Sequence, residues 1–366
     1  MLSIHTVPIH TPGLTRSALR SIIKTTVTVA VPRSIHRSIS TNTATKSHQV
    51  TTHAPVSLNL DNLPRADGTH LVRLATKDEQ REGPFLTEPV FKHHGFEHEL
   101  LKEVKFEHRP VQSARDVITY SFMKALRHTF DFFTGYIEPR DEKHRIEIAK
   151  GHKRMTLKKW LTRVIVLESV AGIPGAVAGF LRHMNSIRLF RRDKAFIDTL
   201  YDEAFNERMH LLTFLKIAKP TLFTRGLLWV GQGIFANCFF ITYLVSPKTC
   251  HRFVGYLEEE AVNTYSRCIT DLELGLCPEL TEQEVPQIAK EYWHLNDDAK
   301  MYDLILYIRA DEAKHREVNH TIANLKQNGE DRNPFALTIK DDERPQPTNT
   351  LKNHRAQGWE KKDLIL

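Results

Sequence analysis

Acidic residues are missing from the start of this chain: no Asp or Glu occurs before Asp61, while Arg16, Arg20, Lys24, Arg33, Arg37 and Lys46 stand among serines, threonines and scattered apolar residues. The continuous apolar centre of a secretory signal is lacking as well. Together these absences predict a mitochondrial transit peptide within residues 1–60, cleaved near Arg37 to Thr41. Cysteine is scarce. Cys238, Cys250, Cys268 and Cys277 are the only four; none forms a C-x-x-C pair and they are too few for a disulfide framework, so reduced thiols are expected. Nothing signals nucleic-acid binding, and the formal charge of +7 belongs largely to the leader.

What remains is ordinary globular composition, 41% hydrophobic and 26% charged, in a length that allows one sizeable domain with appendages. Residues 61–115, broken by Pro64, Gly68, Gly83-Pro84 and Pro89, predict an extended arm. Residues 116–326 carry helical periodicity, and 327–366, rich in charge and proline, predict a solvated polar tail. The pattern from Asp116 is a short amphipathic helix. Four long helices follow, over Leu157 to Phe190 with Thr156 as N-cap, Lys194 to Ala218, Pro247 to Leu274 and Asp297 to Lys326, with a short one at VPQIAKEYWHL before the last. Gly172, Pro174, Gly175 and Gly179 in the first suit close approach of another helix, and Pro174 removes a hydrogen bond there and predicts a bend.

Four helices each bring a carboxylate to an apolar face: Glu168, Glu207, Glu258 and Glu312. Two of them also spell Glu-x-x-His, as Glu207 with His210 and Glu312 with His315, a spacing that puts both side chains on one side of a helix. Lys314 and Glu317 point away from that stripe. One Glu-x-x-His alone is a common solvated pair. Glu, Glu-x-x-His, Glu, Glu-x-x-His in order is the ligand pattern by which a ferritin-like four-helix bundle holds two irons or manganeses. The predicted fold class is therefore all-α, and two divalent irons would neutralise four buried carboxylates.

The run Gly226 to Val245 is apolar, twenty residues long and bracketed by Arg225 and Lys248. By length it could span a bilayer. If it and the first long helix both crossed, Glu168 would sit in hydrocarbon, apart from the charged helix bearing Glu207. Attachment to one leaflet, with Arg188, Arg191, Arg192 and Arg225 at the headgroups, reconciles these demands; a transmembrane span and plain core burial are the alternatives.

The stretches LESVAGIPG, NERMHLL, HRFVGYLEEEAVNTY and RADEAKHREVNH resemble the iron-binding boxes of the mitochondrial alternative oxidases, over roughly Asp116 to Lys326. The resemblance implies a homodimeric, cyanide-insensitive enzyme on the matrix side of the inner membrane that oxidises ubiquinol and reduces O2 to water without pumping protons. It implies Glu168, Glu207, Glu258 and Glu312 as iron ligands, with His210 and His315 in or just beyond the ligand set. Tyr265 becomes a redox-active tyrosine beside the metals, and Asn206, Asp311 and Trp293 become partners that orient ligands. Arg163, Leu167, Glu260, Ala261 and Thr264 match quinol-binding positions, although an arginine such as Arg163 is as often a lipid anchor. Plant members are thiol-regulated through a cysteine ahead of the first helix; none precedes Cys238, so that control is expected to be absent. A quinone-biosynthesis hydroxylase, a ferritin-like iron store and a metal-free scaffold are the rival readings.

Overall fold

The computed structural model describes residues 89–337 and 344–366; the transit-peptide reading and most of the extended arm lie outside them. Among the described residues ten α-helices follow in order: α1 His98–Glu103, α2 Ala114–Thr134, α3 Glu142–Lys150, α4 Leu157–Leu189, α5 Phe196–Ile217, α6 Leu222–Val245, α7 Pro247–Glu273, α8 Pro278–Thr281, α9 Gln287–Tyr292 and α10 Met301–Asn324. Among the described residues there is no β-strand beyond one isolated bridge, Glu284 to Lys300.

Local sequence sets the helix starts. Ser113 and Asp116 form a reciprocal capping box at α2, and Thr156 accepts from the Lys159 amide at α4. Ser246 caps α7, where Pro247 occupies the first turn and loses no hydrogen bond. Two starts differ from expectation. Lys194 and Ala195 have left-handed φ of 58° and 67°, so α5 begins at Phe196, with the Asp193 carboxylate accepting from the Ile197 amide at 2.8 Å. The last long helix begins at Met301, not Asp297.

The bundle is built from two closely packed pairs, α4 with α5 and α7 with α10, facing each other across the centre. α2 lies along α7, and α6 packs on α4 and α7. α4 runs as one helix through Pro174, and its glycines let α5 approach. A Cβ on Gly175 would come within 2.5 Å of the Leu200 carbonyl, and one on Gly179 within 3.0 Å of the Tyr201 ring. Gly175→Ala is therefore expected to destabilise the chain by about 1–3 kcal/mol through overpacking, despite alanine's better helix propensity. Thermal unfolding of the purified variant checks this; an unchanged Tm would contradict it.

Two expectations fail around α10. Lys314 and Glu317, expected to face water, are buried and paired with each other at 2.5 Å. The tail is not solvated either. Leu351, Trp359 and Leu364 are buried, and Trp359 donates from its indole to Glu317 at 2.7 Å and from its amide to Thr321 at 2.9 Å. The arm covers another side, with Leu101 buried and Arg309 donating to its carbonyl. Arg109 links arm to tail through Gln357 and Glu360. α10 is thus enclosed along most of its length, and several of its polar residues, among them Glu317, Arg309 and Asp311, are matched by partners brought from far along the chain.

Candidate metal centre

All six predicted ligand positions meet between the helix pairs, none more than 7% exposed. They form two sets whose ligand-type atoms lie within 4.8 Å of one another: Glu168, Glu207, His210 and Glu312, and Glu207, Glu258, Glu312 and His315. Glu207 and Glu312 belong to both. His210 Nδ1 is 3.3 Å from Glu168 Oε2, 3.4 Å from Glu207 Oε2 and 3.3 Å from Glu312 Oε1. His315 Nδ1 is 2.6 Å from Glu207 Oε1 and 3.8 Å from Glu312 Oε2.

Although these atoms are close, they are not aligned as hydrogen bonds. Glu168 Oε2, Glu258 Oε1, both oxygens of Glu207 and of Glu312, and both histidine Nδ1 atoms are buried with no hydrogen-bond partner. Buried polar atoms are rarely left so, because each forfeits its hydration without return. Eight converging orphans, all carboxylate oxygens or imidazole nitrogens, fit a pair of divalent transition metals, with Glu207 and Glu312 common to both donor sets.

The electrostatics agree. Burial, and then the nearby Glu312 and Glu207, push Glu168 and Glu258 well above the usual carboxylate range. Burial opposes ionisation of Glu207 too, but His210 and His315 outweigh it and hold its carboxyl far below that range. Both imidazoles resist charging through burial, yet Glu207 leads a set of acids that raises them well above the ordinary histidine value. Protons and cations compete for the same atoms.

Asn206, Asp311 and Trp293 come together as the sequence predicts. Asp311 Oδ2 accepts from Trp293 Nε1 at 2.8 Å and from Asn206 Nδ2 at 3.2 Å, and lies 3.2 Å from His210 Nε2. Because that contact makes Nε2 the donor, it turns the lone pair of His210 Nδ1 toward the carboxylates. Trp293 stacks on the His210 ring at 5.7 Å. Two further members have no signature in the linear order of residues. His93, from the arm, reaches Asp311 Oδ1 at 2.9 Å, and the Tyr292 hydroxyl accepts from Asn206 at 3.2 Å; neither lies on a periodic stripe that would single it out.

Tyr265 is buried on α7 and donates its phenol proton to Glu168 Oε1. Burial, followed by the Glu168 charge, holds that proton far more tightly than in a free tyrosine.

Three of the five expected quinol positions share one buried network. Arg163 donates to Asp131 Oδ1 at 2.7 Å and to Thr134, and its guanidinium lies 4.3 Å from the ring centres of both Phe130 and Tyr136. Arg127 donates to Asp131 at 2.8 Å, to Glu260 Oε2 at 3.1 Å and to Thr264 Oγ1 at 3.0 Å. Fully buried, Arg163 is no lipid anchor. Half-buried Leu167 and buried Ala261 lie outside the network. Arg127 and Asp131 escaped the sequence reading because an Arg-x-x-x-Asp pair on an amphipathic helix resembles any surface ion pair.

The sequence model of the alternative oxidase family matches residues 96–324. The chain belongs to the alternative oxidase family. Among similar alternative oxidases, described as mitochondrial, the one of Scheffersomyces stipitis is 53% identical over 290 residues, covering 78% of this chain and 80% of its own. Alternative oxidase 1 of Candida albicans is 52% identical, covering 77% and 74%, and that of Yarrowia lipolytica 50%, covering 76% and 78%. As a member of this family the chain is an oxidoreductase, and the rival readings as hydroxylase, iron store or scaffold lose their footing.

Proposed function

We propose that this chain is a mitochondrial ubiquinol oxidase that takes electrons from ubiquinol in the inner membrane, on its matrix side, and reduces O2 to water. Two ubiquinols supply the four electrons and four protons that one O2 requires, leaving two ubiquinones and two waters. The observation that carries this reading is the pair of donor sets sharing Glu207 and Glu312, beside a buried polar network on helices with lipid-suited faces.

An iron pair bound there would supply the redox chemistry toward dioxygen. Glu168, Glu207, His210 and Glu312 would hold one iron, and Glu207, Glu258, Glu312 and His315 the other. Asp311 holds His210 in the ligating tautomer, and Trp293 fixes its plane. Tyr265 keeps a proton at Glu168 Oε1, positioned to donate it with an electron. Arg127 and Thr264 supply hydrogen bonds for a quinol headgroup, and Glu260 and Asp131 are carboxylates able to receive its protons.

Two helices, α4 and α6, are long and apolar enough to cross a bilayer. Half of α4's most apolar stretch is buried and it carries Glu168 into the bundle, whereas only 11% of α6's is buried. α6 exposes Leu227, Trp229, Val230, Ile234 and Ile241, and α2 exposes Val117, Ile118, Phe122 and Phe133. These faces support attachment to a single leaflet, with exposed Arg188, Arg191, Arg192 and Arg225 at the headgroups. The apolar end of α4, with Phe180, Met184 and Ile187 exposed, suits a second copy in a homodimer.

Purified in detergent with iron, the protein is expected to consume O2 when given a reduced quinol and to continue in cyanide. Stoichiometric iron with a hydroxylated quinone as product would overturn the assignment.

A further inference from the structure

A narrow cleft of about 50 Å³ runs between the arm, α5 and α10, and Asp311 and His315 are among the residues that line it. At its more exposed end His94 and Asp202 form an ion pair at 2.8 Å, with side chains 43% and 29% exposed. Asn349, from the tail, is exposed on its wall. Deeper in, Glu203 lies one helical turn before Glu207 on the same face of α5.

The lining is chemically specific. Three carboxylates, Asp202, Glu203 and Asp311, and three histidines, His93, His94 and His315, face two lysines, Lys92 and Lys314, and the charge of Lys314 is offset by Glu317. Independently, Asn206 on the same wall leaves its buried Oδ1 with no hydrogen-bond partner. Its amide cannot be flipped to relieve this, because Nδ2 is fixed by the Asp311 acceptor. An oxygen acceptor without a donor is what a passing cation can use and a closed core does not provide.

We propose that this cleft is the route by which ferrous iron enters and leaves the metal centre, His94 and Asp202 guarding the mouth and Glu203 and Asn206 handing the ion to His315. The inference rests on the di-iron reading above. Ligand atoms that suit a divalent cation continue from the surface to His315, the least buried of the six ligand positions, whereas a cation approaching past the apolar faces of α2 and α6 would have to shed its water with no replacement.

The test is the rate at which the reduced holoenzyme yields iron to a water-soluble ferrous chelator, followed by colour. Asn349→Trp, at an exposed position, is expected to narrow the cleft and slow release at least fivefold; His94→Ala, which breaks the ion pair, is expected to speed it by a similar factor. Iron content at the start and quinol oxidase activity should stay those of the unsubstituted protein in both. Opposite changes in rate cannot arise from general loosening of the fold. If iron is bound but neither substitution alters its release, or both alter it in the same direction, the route is wrong and the metal centre stands. If the purified protein holds no iron, both fall.

Discussion

Glu207→Ala leaves the chain with almost no bound iron, whereas Glu258→Ala keeps roughly one of the two ions. The difference follows from sharing: Glu207 and Glu312 belong to both donor sets, Glu258 to one. Removing a shared carboxylate takes an oxygen from each ion and also the charge that sets both imidazoles, since Glu207 is the leading acid acting on His210 and on His315. Removing Glu258 leaves Glu168, Glu207, His210 and Glu312 intact. Metal analysis of the two purified variants checks this, and a Glu207→Ala protein with full iron would refute the shared-ligand geometry. Because bound metal stabilises the native state by mass action, the Tm of Glu207→Ala should also stop responding to added ferrous iron.

Acid should release the metal, since protons compete for the same atoms. In the metal-free chain Glu207, held far below the carboxylate range by His210 and His315 against burial, likewise loses its contribution in acid, but four other groups act in the opposite sense. Glu168 and Glu258, with folded pKa values raised above the unfolded value of about 4.3, and the raised His210 and His315 take up protons on folding. Their contribution to stability is fully present below the unfolded pKa values and is lost as pH rises through the folded ones.

Tyr265→Phe is expected to keep both irons and to lower kcat by about 100-fold, the low end of what a positioned proton donor contributes. The ring fills the same space, so packing against Phe214, 6.5 Å away between ring centres, is preserved. What goes is the proton held at Glu168 Oε1. Since the Tyr265 hydroxyl bonds to Glu168 and not within the Arg127–Thr264 network, KM for quinol should change little. Full turnover would remove Tyr265 from the chemistry; lost iron would make it a structural support of Glu168 instead.

Much of this centre is legible in the linear order of residues. Glu-x-x-His repeats with two further carboxylates on apolar faces need only helical periodicity to be read, and Asn206, Asp311 and Trp293 sit beside ligands or in the recognised short helix. Legibility stops where a contact spans the chain. The burial of Glu317 depends on Trp359 and Arg355, more than thirty residues away, and Asp311 depends on His93, 218 residues distant. The tail reads as solvated because its apolar residues are too sparse to make a stripe, yet Leu351, Trp359 and Leu364 are each buried against the folded domain.

The sequence alone determined the long helices and the residue types that converge, because those follow from a 3.6-residue period and from the chemistry of carboxylate and imidazole. Only the tertiary structure decided that Glu207 and Glu312 are shared, that Arg163 is locked inside by α2, and that α10 is enclosed along most of its length. Periodicity reports which face of a helix is turned inward; distances between faces, and the partners that cover a helix already buried, depend on packing among segments far apart in the chain.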